Sequence, residues 1–223
     1  MLPMVVAAKA GVPLIDIDGM GRAFPELQMS TFVLANHPIT PIVMADERGN
    51  TTLINTIDAY WAEKIGRAIT VKMGASAFMT STPLTGEYLK RDGVKYSLSF
   101  CERIGRLINN VNNFESLSKA LEELLNITHG YKLLRAKVID IQHNTKDGFN
   151  YGIVKLNGLE EDSDHTGIVE FQNENLVFKF DNRISATVPD LISFVDAETL
   201  NPITNEELRY GKRVLVLGLP CDK

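Results

Sequence analysis

Asp16-Ile17-Asp18-Gly19-Met20-Gly21-Arg22-Ala23-Phe24-Pro25-Glu26-Leu27-Gln28-Met29 packs three carboxylates, two glycines and an arginine between an apolar stretch and a helix-like one. In α/β proteins ligands sit at the carboxyl end of a strand, facing the start of a helix. The segment therefore predicts an α/β unit, with Pro13 to Ile17 as a buried strand. A helix is predicted from Pro25 to about Leu34, with Pro25 as its first residue and Glu26 complementing its positive end. Only fifteen residues precede the segment, a short lead that suggests something normally comes before it. Those residues read as the last turns of a helix over Val5 to Ala10, stopped by Gly11.

Outward from the glycine turn, Ile42 to Ala45 and Thr51 to Ile54 flank Asp46-Glu47-Arg48-Gly49-Asn50 as a hairpin. A helix is expected from Ile57 to about Lys72, with Ile57, Trp61, Ile65 and Ala68 on its buried face. Ala75 to Thr85 is small, polar and proline-broken, and reads as an extended or loop segment. Two further helices follow at Ser97 to Asn110 and Leu117 to Leu125. On the first, Leu98, Cys101, Ile104 and Ile108 form one apolar stripe, which makes Cys101 a core residue. From Tyr131 onward the pattern is β. Lys132 to Gln142 and Phe149 to Leu156 alternate around Lys146-Asp147-Gly148, a hairpin signal. Ile168 to Phe180, Leu191 to Val195 and Arg213 to Leu219 supply further strands, and Thr204-Asn205-Glu206-Glu207 is a capping box for a one-turn helix.

Composition narrows the function classes. The chain has 223 residues, 44% hydrophobic and 23% charged, with net charge −5. An acidic balance argues against a nucleic-acid partner, which needs a basic face, and no apolar run is long enough to span a bilayer. Cys101 and Cys221 lack metal-ligand spacing and read as free thiols in a reducing cytoplasm.

Four segments in order resemble the S-methyl thiohydantoin desulfurase family, described as hydantoinase-like. They are Asp18-Gly19-Met20-Gly21-Arg22-Ala23-Phe24-Pro25-Glu26, Gln172-Asn173-Glu174-Asn175-Leu176, Val188-Pro189-Asp190-Leu191-Ile192 and Leu208-Arg209-Tyr210-Gly211-Lys212-Arg213-Val214. Gly66-Arg67-Ala68 and the stretch from Ser97 to Arg106 fit as well. The resemblance implies a prokaryotic cytoplasmic hydrolase that attacks the ring carbon of a cyclic amide or thiohydantoin and expels a thiol. A divalent metal such as zinc is a candidate cofactor. A homo-oligomer or a hydantoinase-type partner subunit is a candidate assembly, and a non-catalytic or truncated subunit of such a complex is the alternative function. The implied fold is mixed α+β. Residues 1–60 form the end of an α/β N-terminal domain, truncated relative to the family, which carries a longer segment before the glycine turn. Residues 61–223 form a second domain, helical over 61–130 and β-rich over 131–223, sandwich- or barrel-like.

Each candidate site residue carries two readings. Asp16 and Asp18 could hold a metal, with His37 as a third ligand, or Asp18 could activate water. Alternatively Asp18 closes its own turn and Asp16 caps a neighbouring element. Gly19 and Gly21 take positive φ or allow close backbone approach, to a ligand or to packing. Arg22 could clamp a substrate carboxylate or pair with Glu26, Asp18 or Asp16. Glu26 is catalytic or complements a helix dipole. Asn173, Glu174 and Asn175 line a pocket and bond a ring amide, or form a bulge or turn with Asn in the left-handed region.

Overall fold

The computed structural model describes residues 2–221. It has a mixed α+β architecture with a β-rich C-terminal part. The first elements are α1 (Leu2–Ala10), β1 (Ile17–Asp18), α2 (Thr31–Leu34), β2 (Ile42–Ala45), β3 (Thr51–Ile54), α3 (Ala59–Lys72), β4 (Phe78–Thr80), α4 (Gly86–Asp92) and β5 (Val94–Lys95). Two small sheets organise them, an antiparallel β1–β5 pair and the three-stranded order β3-β2-β4. Helix α3 packs on the latter, where Ile42, Met44 and Ile54 meet Ala62 in a small core.

Several expectations for this half are corrected. No helix starts at Pro25: Glu26 is extended, with φ −139° and ψ 145°. Leu27–Met29 makes one 3-10 turn, and Ser30 then caps the four-residue α2. The Leu27 amide donates to the Glu63 carboxylate at 3.0 Å, which ties the extended segment to α3. Strand β1 covers two residues only, and Pro13 to Ile15 lies outside it. On α3 the predicted buried face is turned outward. Ile57, just before the helix, Trp61 and Ile65 are exposed, while Ala59, Ala62, Glu63 and Gly66 are buried. The large side chains of β2 and β3 leave room only for small partners, and Gly66 sits over Met44 and Ile54. The stretch Ala75 to Thr85, read as extended or loop, contains the short strand β4, in keeping with the extended reading, and β4 pairs with β2 at Val43↔Thr80 and Ala45↔Phe78.

The second half holds α5 (Ser97–Asn109), α6 (Leu117–Thr128) and the strands β6 (Tyr131–Lys146), β7 (Phe149–Gly158), β8 (Thr166–Gln172), β9 (Glu174–Phe180), β10 (Arg183–Thr187), β11 (Leu191–Asp196), β12 (Pro202–Ile203) and β13 (Arg213–Leu219). These eight strands form one antiparallel sheet in the order β10-β9-β8-β7-β6-β13-β11-β12. The sheet rolls until β9 meets β11, enclosing a core that includes Leu134, Val154, Phe178, Phe194 and Val216. On the outer side of β11 and β13, Val195, Leu215 and Leu217 pack with Leu107, Ala120 and Leu124 of α5 and α6. Strand β13 is thus covered on both faces, which explains its unbroken apolar run from Val214 to Leu217. The β6–β7 hairpin turns at Asp147 and Gly148, both at positive φ, the geometry that suits the twist of paired strands. The capping-box segment forms a turn rather than a helix, although Thr204 N does donate to the Glu207 carboxylate at 3.1 Å. Cys101 is exposed rather than core, and both cysteines are free.

Candidate functional site

Asp18 closes its own turn. Its Oδ1 accepts from Met20 N at 2.6 Å and from Gly21 N at 2.5 Å. The two glycines serve different ends. Gly21 has φ +67°, which favours glycine, whereas a Cβ on Gly19 would lie 2.6 Å from Ser30 Oγ and 2.7 Å from the Phe32 ring. Close approach at Gly19 therefore serves the packing of the turn on α2. Gly19→Ala should cost about 1–3 kcal/mol by overpacking, measured as a lower urea midpoint.

Asp16 faces another partner altogether. Its Oδ1 accepts from Leu98 N at 2.8 Å and Ser99 N at 3.2 Å, and its Oδ2 from the Ser99 hydroxyl. It caps α5 from eighty residues away in sequence, and the Ser99 hydroxyl bond leads in holding its carboxyl below the usual range. His37 bonds Asp92 at 2.6 Å and lies against the Tyr88 ring, with centroids 4.4 Å apart. Asp92 is depressed to about 2 by its bonds to Arg91 and then His37. The candidate metal ligands Asp16, Asp18 and His37 thus serve three separate structural purposes. Among the described residues no three His, Cys, Asp or Glu side chains are grouped to hold a metal ion. The donor set does not fit a zinc site.

Arg22 makes no ion pair with Asp16, Asp18 or Glu26. Its guanidinium lies over the Phe24 ring at 5.5 Å. Burial pushes it below its ordinary range, against the opposing pull of Cys221 and Asp190 nearby. Asp190 in turn accepts from Cys221 N at 3.0 Å. A partly buried cation with so little acidic company suits an anionic ligand group.

The fold brings Glu26 to the tip of β8 and β9. Gln172 Nε2 reaches Glu26 Oε1 at 3.5 Å, across 146 positions of sequence, and Gln28 donates to the other carboxylate oxygen. Gln172 and Glu174 are register partners, hence on one face of the sheet. Burial raises Glu174 above the ordinary carboxyl range, with Glu206 adding to the shift and Arg67 opposing it. Buried oxygens Glu174 Oε2 and Gln28 Oε1 have no hydrogen-bond partner. A cleft of about 540 Å³ adjoins Gln172 and is also lined by His143, Tyr151, Phe171 and Leu176, a size that suits a small cyclic ligand. The larger groove along α6, about 1110 Å³, is lined by solvated side chains such as Glu115, Lys119 and Glu122 and touches no part of the glycine turn.

Asn173 forms the turn itself. It sits at φ 57°, and its Oδ1 accepts from Asn150 N at 2.8 Å. Asn205 Nδ2 donates to its carbonyl at 2.8 Å. Asn175 Nδ2 donates to Ile192 O at 3.0 Å, tying β9 to β11. Of the three predicted pocket residues, Glu174 alone is the register partner of Gln172, which bonds Glu26.

One residue outside the predicted set organises this convergence. Arg67 on α3 bonds Glu63 Oε1 at 2.5 Å, Pro25 O at 2.7 Å and Gly148 O at 3.2 Å. Its guanidinium stacks on the Phe149 ring at 3.8 Å. Helix α3 thus grips the glycine-turn segment and the β6–β7 hairpin together. Gly66-Arg67-Ala68 was the only sequence sign of this role.

With this geometry in view, comparison with known proteins defines the class. The model of the S-Me-THD-like N-terminal domain matches residues 1–56, and that of the S-Me-THD-like C-terminal domain matches residues 57–223. The chain belongs to the S-Me-THD-like family. A crystal structure of a protein from Chromobacterium violaceum, from the Northeast Structural Genomics Consortium, matches with TM-score 0.71 and 26% identity. The match covers 96% of this chain and 60% of that one, so the chain spans about three fifths of the length of that relative. No curated protein matches it. No helix among the described residues is long and apolar enough to cross a membrane.

Proposed function

We propose that this chain carries the reacting carboxylates of a hydantoinase-like hydrolase that acts on S-methyl thiohydantoin-type rings. The observation that carries the reading is the contact of Glu26, from the glycine turn, with Gln172, whose register partner across the β8–β9 tip is Glu174. Two segments that mark the family in sequence are neighbours in space, and one of them holds a carboxyl raised by burial. Carboxyls in unlike environments are the usual makings of an acid–base pair.

In the proposed step Glu26 accepts a proton from water as the water oxygen bonds to the ring carbon bearing sulfur. The carbon–nitrogen π pair moves to the ring nitrogen, which takes that proton from Glu26. The carbon–sulfur bond then breaks as the new hydroxyl becomes a carbonyl and gives its proton to Glu26. The sulfur takes a proton from Glu174 and leaves as methanethiol, and transfer of the proton from Glu26 to Glu174 restores both groups. The unpartnered Gln28 oxygen is available to accept from the single N–H of the ring. Arg22 holds an acidic substituent on the ring.

The test follows the S-methyl singlet by NMR during incubation with an S-methyl thiohydantoin. A thiol reagent would also count Cys101. Turnover lost in both Glu26→Gln and Glu174→Gln supports the reading, and unchanged turnover in both overturns it. Arg22→Ala should raise KM about tenfold to a hundredfold for a substrate with a carboxylate substituent and leave a neutral one unaffected, by loss of a charge-assisted pair.

The raised Glu174 sets a pH dependence. Its acid form is required, so the rate falls as pH rises through its shifted value, giving the alkaline limb of the profile. Stability follows the same sign. Between the unfolded and the raised folded value the native state binds more protons than the unfolded chain, so stability falls with rising pH there. Glu174→Gln should remove that slope, read from urea midpoints across pH 4 to 8.

A further inference from the structure

Tyr151 and Gln172 are register partners across β7 and β8, so their side chains stand on one face of the sheet. Both line the cleft of about 540 Å³, and Gln172 is the residue that reaches Glu26. Phe149 lies two positions before Tyr151 on that face, with ring centroids 5.9 Å apart. The Phe149 ring is itself covered by the Arg67 guanidinium at 3.8 Å. This row holds the Tyr151 ring from one side, while Tyr151 stays 36% exposed. On the reverse face Phe171 fills the space over Gly152, where a Cβ would lie 2.2 Å from its ring. Strand β7 is thus pressed on the core beneath Tyr151.

An irregularity supplies a wall to the same cleft. The β8–β9 register shifts between Glu170 and Phe171, whose partners are Val177 and Asn175. Leu176 is the extra residue of that bulge, and it lines the cleft. Bulges re-aim side chains and are common beside active sites. Ile153 and Asn144 complete the lining beside Tyr151. A held aromatic ring, an aliphatic wall and a few amides make the lining of a site for a small planar ligand.

We propose that Tyr151 is the stacking platform of this cleft, on which the planar five-membered ring of the substrate lies flat, walled by Leu176 and with its edge toward Gln172. The proposal deepens the hydrolase reading and rests on it for the identity of the ring. Stacking draws on the π faces of both partners, so Tyr151 selects flat, conjugated rings over puckered saturated ones. The contact uses the ring face and not the hydroxyl, which separates a platform from an acid or a hydrogen-bond donor.

The test uses hydantoin, a planar ring with no sulfur to lose, and follows its ring methylene signal by NMR during titration with the full chain. Binding is expected to move that signal upfield, as a proton held over an aromatic face requires, and to give Overhauser contacts to the Tyr151 ring. Tyr151→Phe should keep both binding and displacement. Tyr151→Leu should weaken binding about tenfold by loss of the stacked ring and abolish the displacement, while Tyr60→Leu on α3 changes neither. Circular dichroism melts check that the variants remain folded, and the Overhauser contacts test the native chain without any variant. Absence of hydantoin binding overturns the proposal. So does binding without contacts to Tyr151, or binding that Tyr151→Leu leaves unchanged. None of these readouts involves turnover. Tyr151-dependent binding without turnover of the S-methyl compound counts against the hydrolase reading alone. Turnover with a KM unmoved by Tyr151→Leu counts against the platform alone.

Discussion

Glu26→Gln is expected to lower turnover of an S-methyl thiohydantoin at least a hundredfold with little change in KM. The substitution keeps size and hydrogen-bonding capacity but removes the proton acceptor, and positioned general bases contribute about 10²–10⁴ in rate. The amide oxygen still accepts from Gln172, and Gln28 can turn its own amide to accept from the new NH2, so the segment should hold its place. A fall in kcat and kcat/KM together marks an interaction made only in the transition state. A rise in KM alone would make Glu26 a ground-state contact instead. The measurement is steady-state kinetics at the pH optimum, with Asp18→Asn beside it. Asp18 accepts two backbone amides of its own turn, so its replacement should cost stability before it costs chemistry.

Arg67→Ala should destabilise the chain by about 3 kcal/mol. Glu63 is left with a side chain only 9% exposed and without its counter-ion, and breaking a buried pair costs about 3–5 kcal/mol, reduced here because Arg67 is partly solvated. Two backbone carbonyls, Pro25 O and Gly148 O, lose a charged donor at the same time. Arg67→Lys keeps the charge but not the planar fork, so it should recover part of the loss. Hydrogen exchange at the Leu27 amide, which donates to Glu63, should speed up in Arg67→Ala. With the nearby positive charge gone, Glu174 should also hold its proton to higher pH, moving the alkaline limb of the rate profile upward. A loss of stability with Leu27 exchange and the limb unmoved would make Arg67 a packing residue alone.

The β-rich half was legible because its signals are local. Asp147-Gly148 specifies its turn by backbone preference, and alternation along β6 and β7 states which side faces the core. The glycine-turn half was less legible because long-range partners override local tendency. Pro25 and Glu26 look like a helix start, but Glu26 is extended, one 3-10 turn follows, and the Leu27 amide ties the segment to Glu63 of α3. Ile57, Trp61 and Ile65 keep perfect helical spacing and still face outward, since periodicity names a stripe without naming what covers it. Cys101 followed the same logic and lies exposed. Asp16 and Asp18 stand two apart, yet one caps α5 and the other its own turn.

The sequence by itself determined the mixed α+β class, the β-rich C-terminal end and the family to which the chain belongs. All of these rest on short-range chemistry or on motifs read in order. Only the tertiary structure decided which marked residues meet. It set Glu26 beside Gln172, sent Asp16 and His37 to structural partners, and revealed Arg67 as the clamp between the glycine-turn segment and the β6–β7 hairpin. Contacts across a hundred and more residues depend on how the sheet rolls and where α3 lies, and no local pattern encodes that distance.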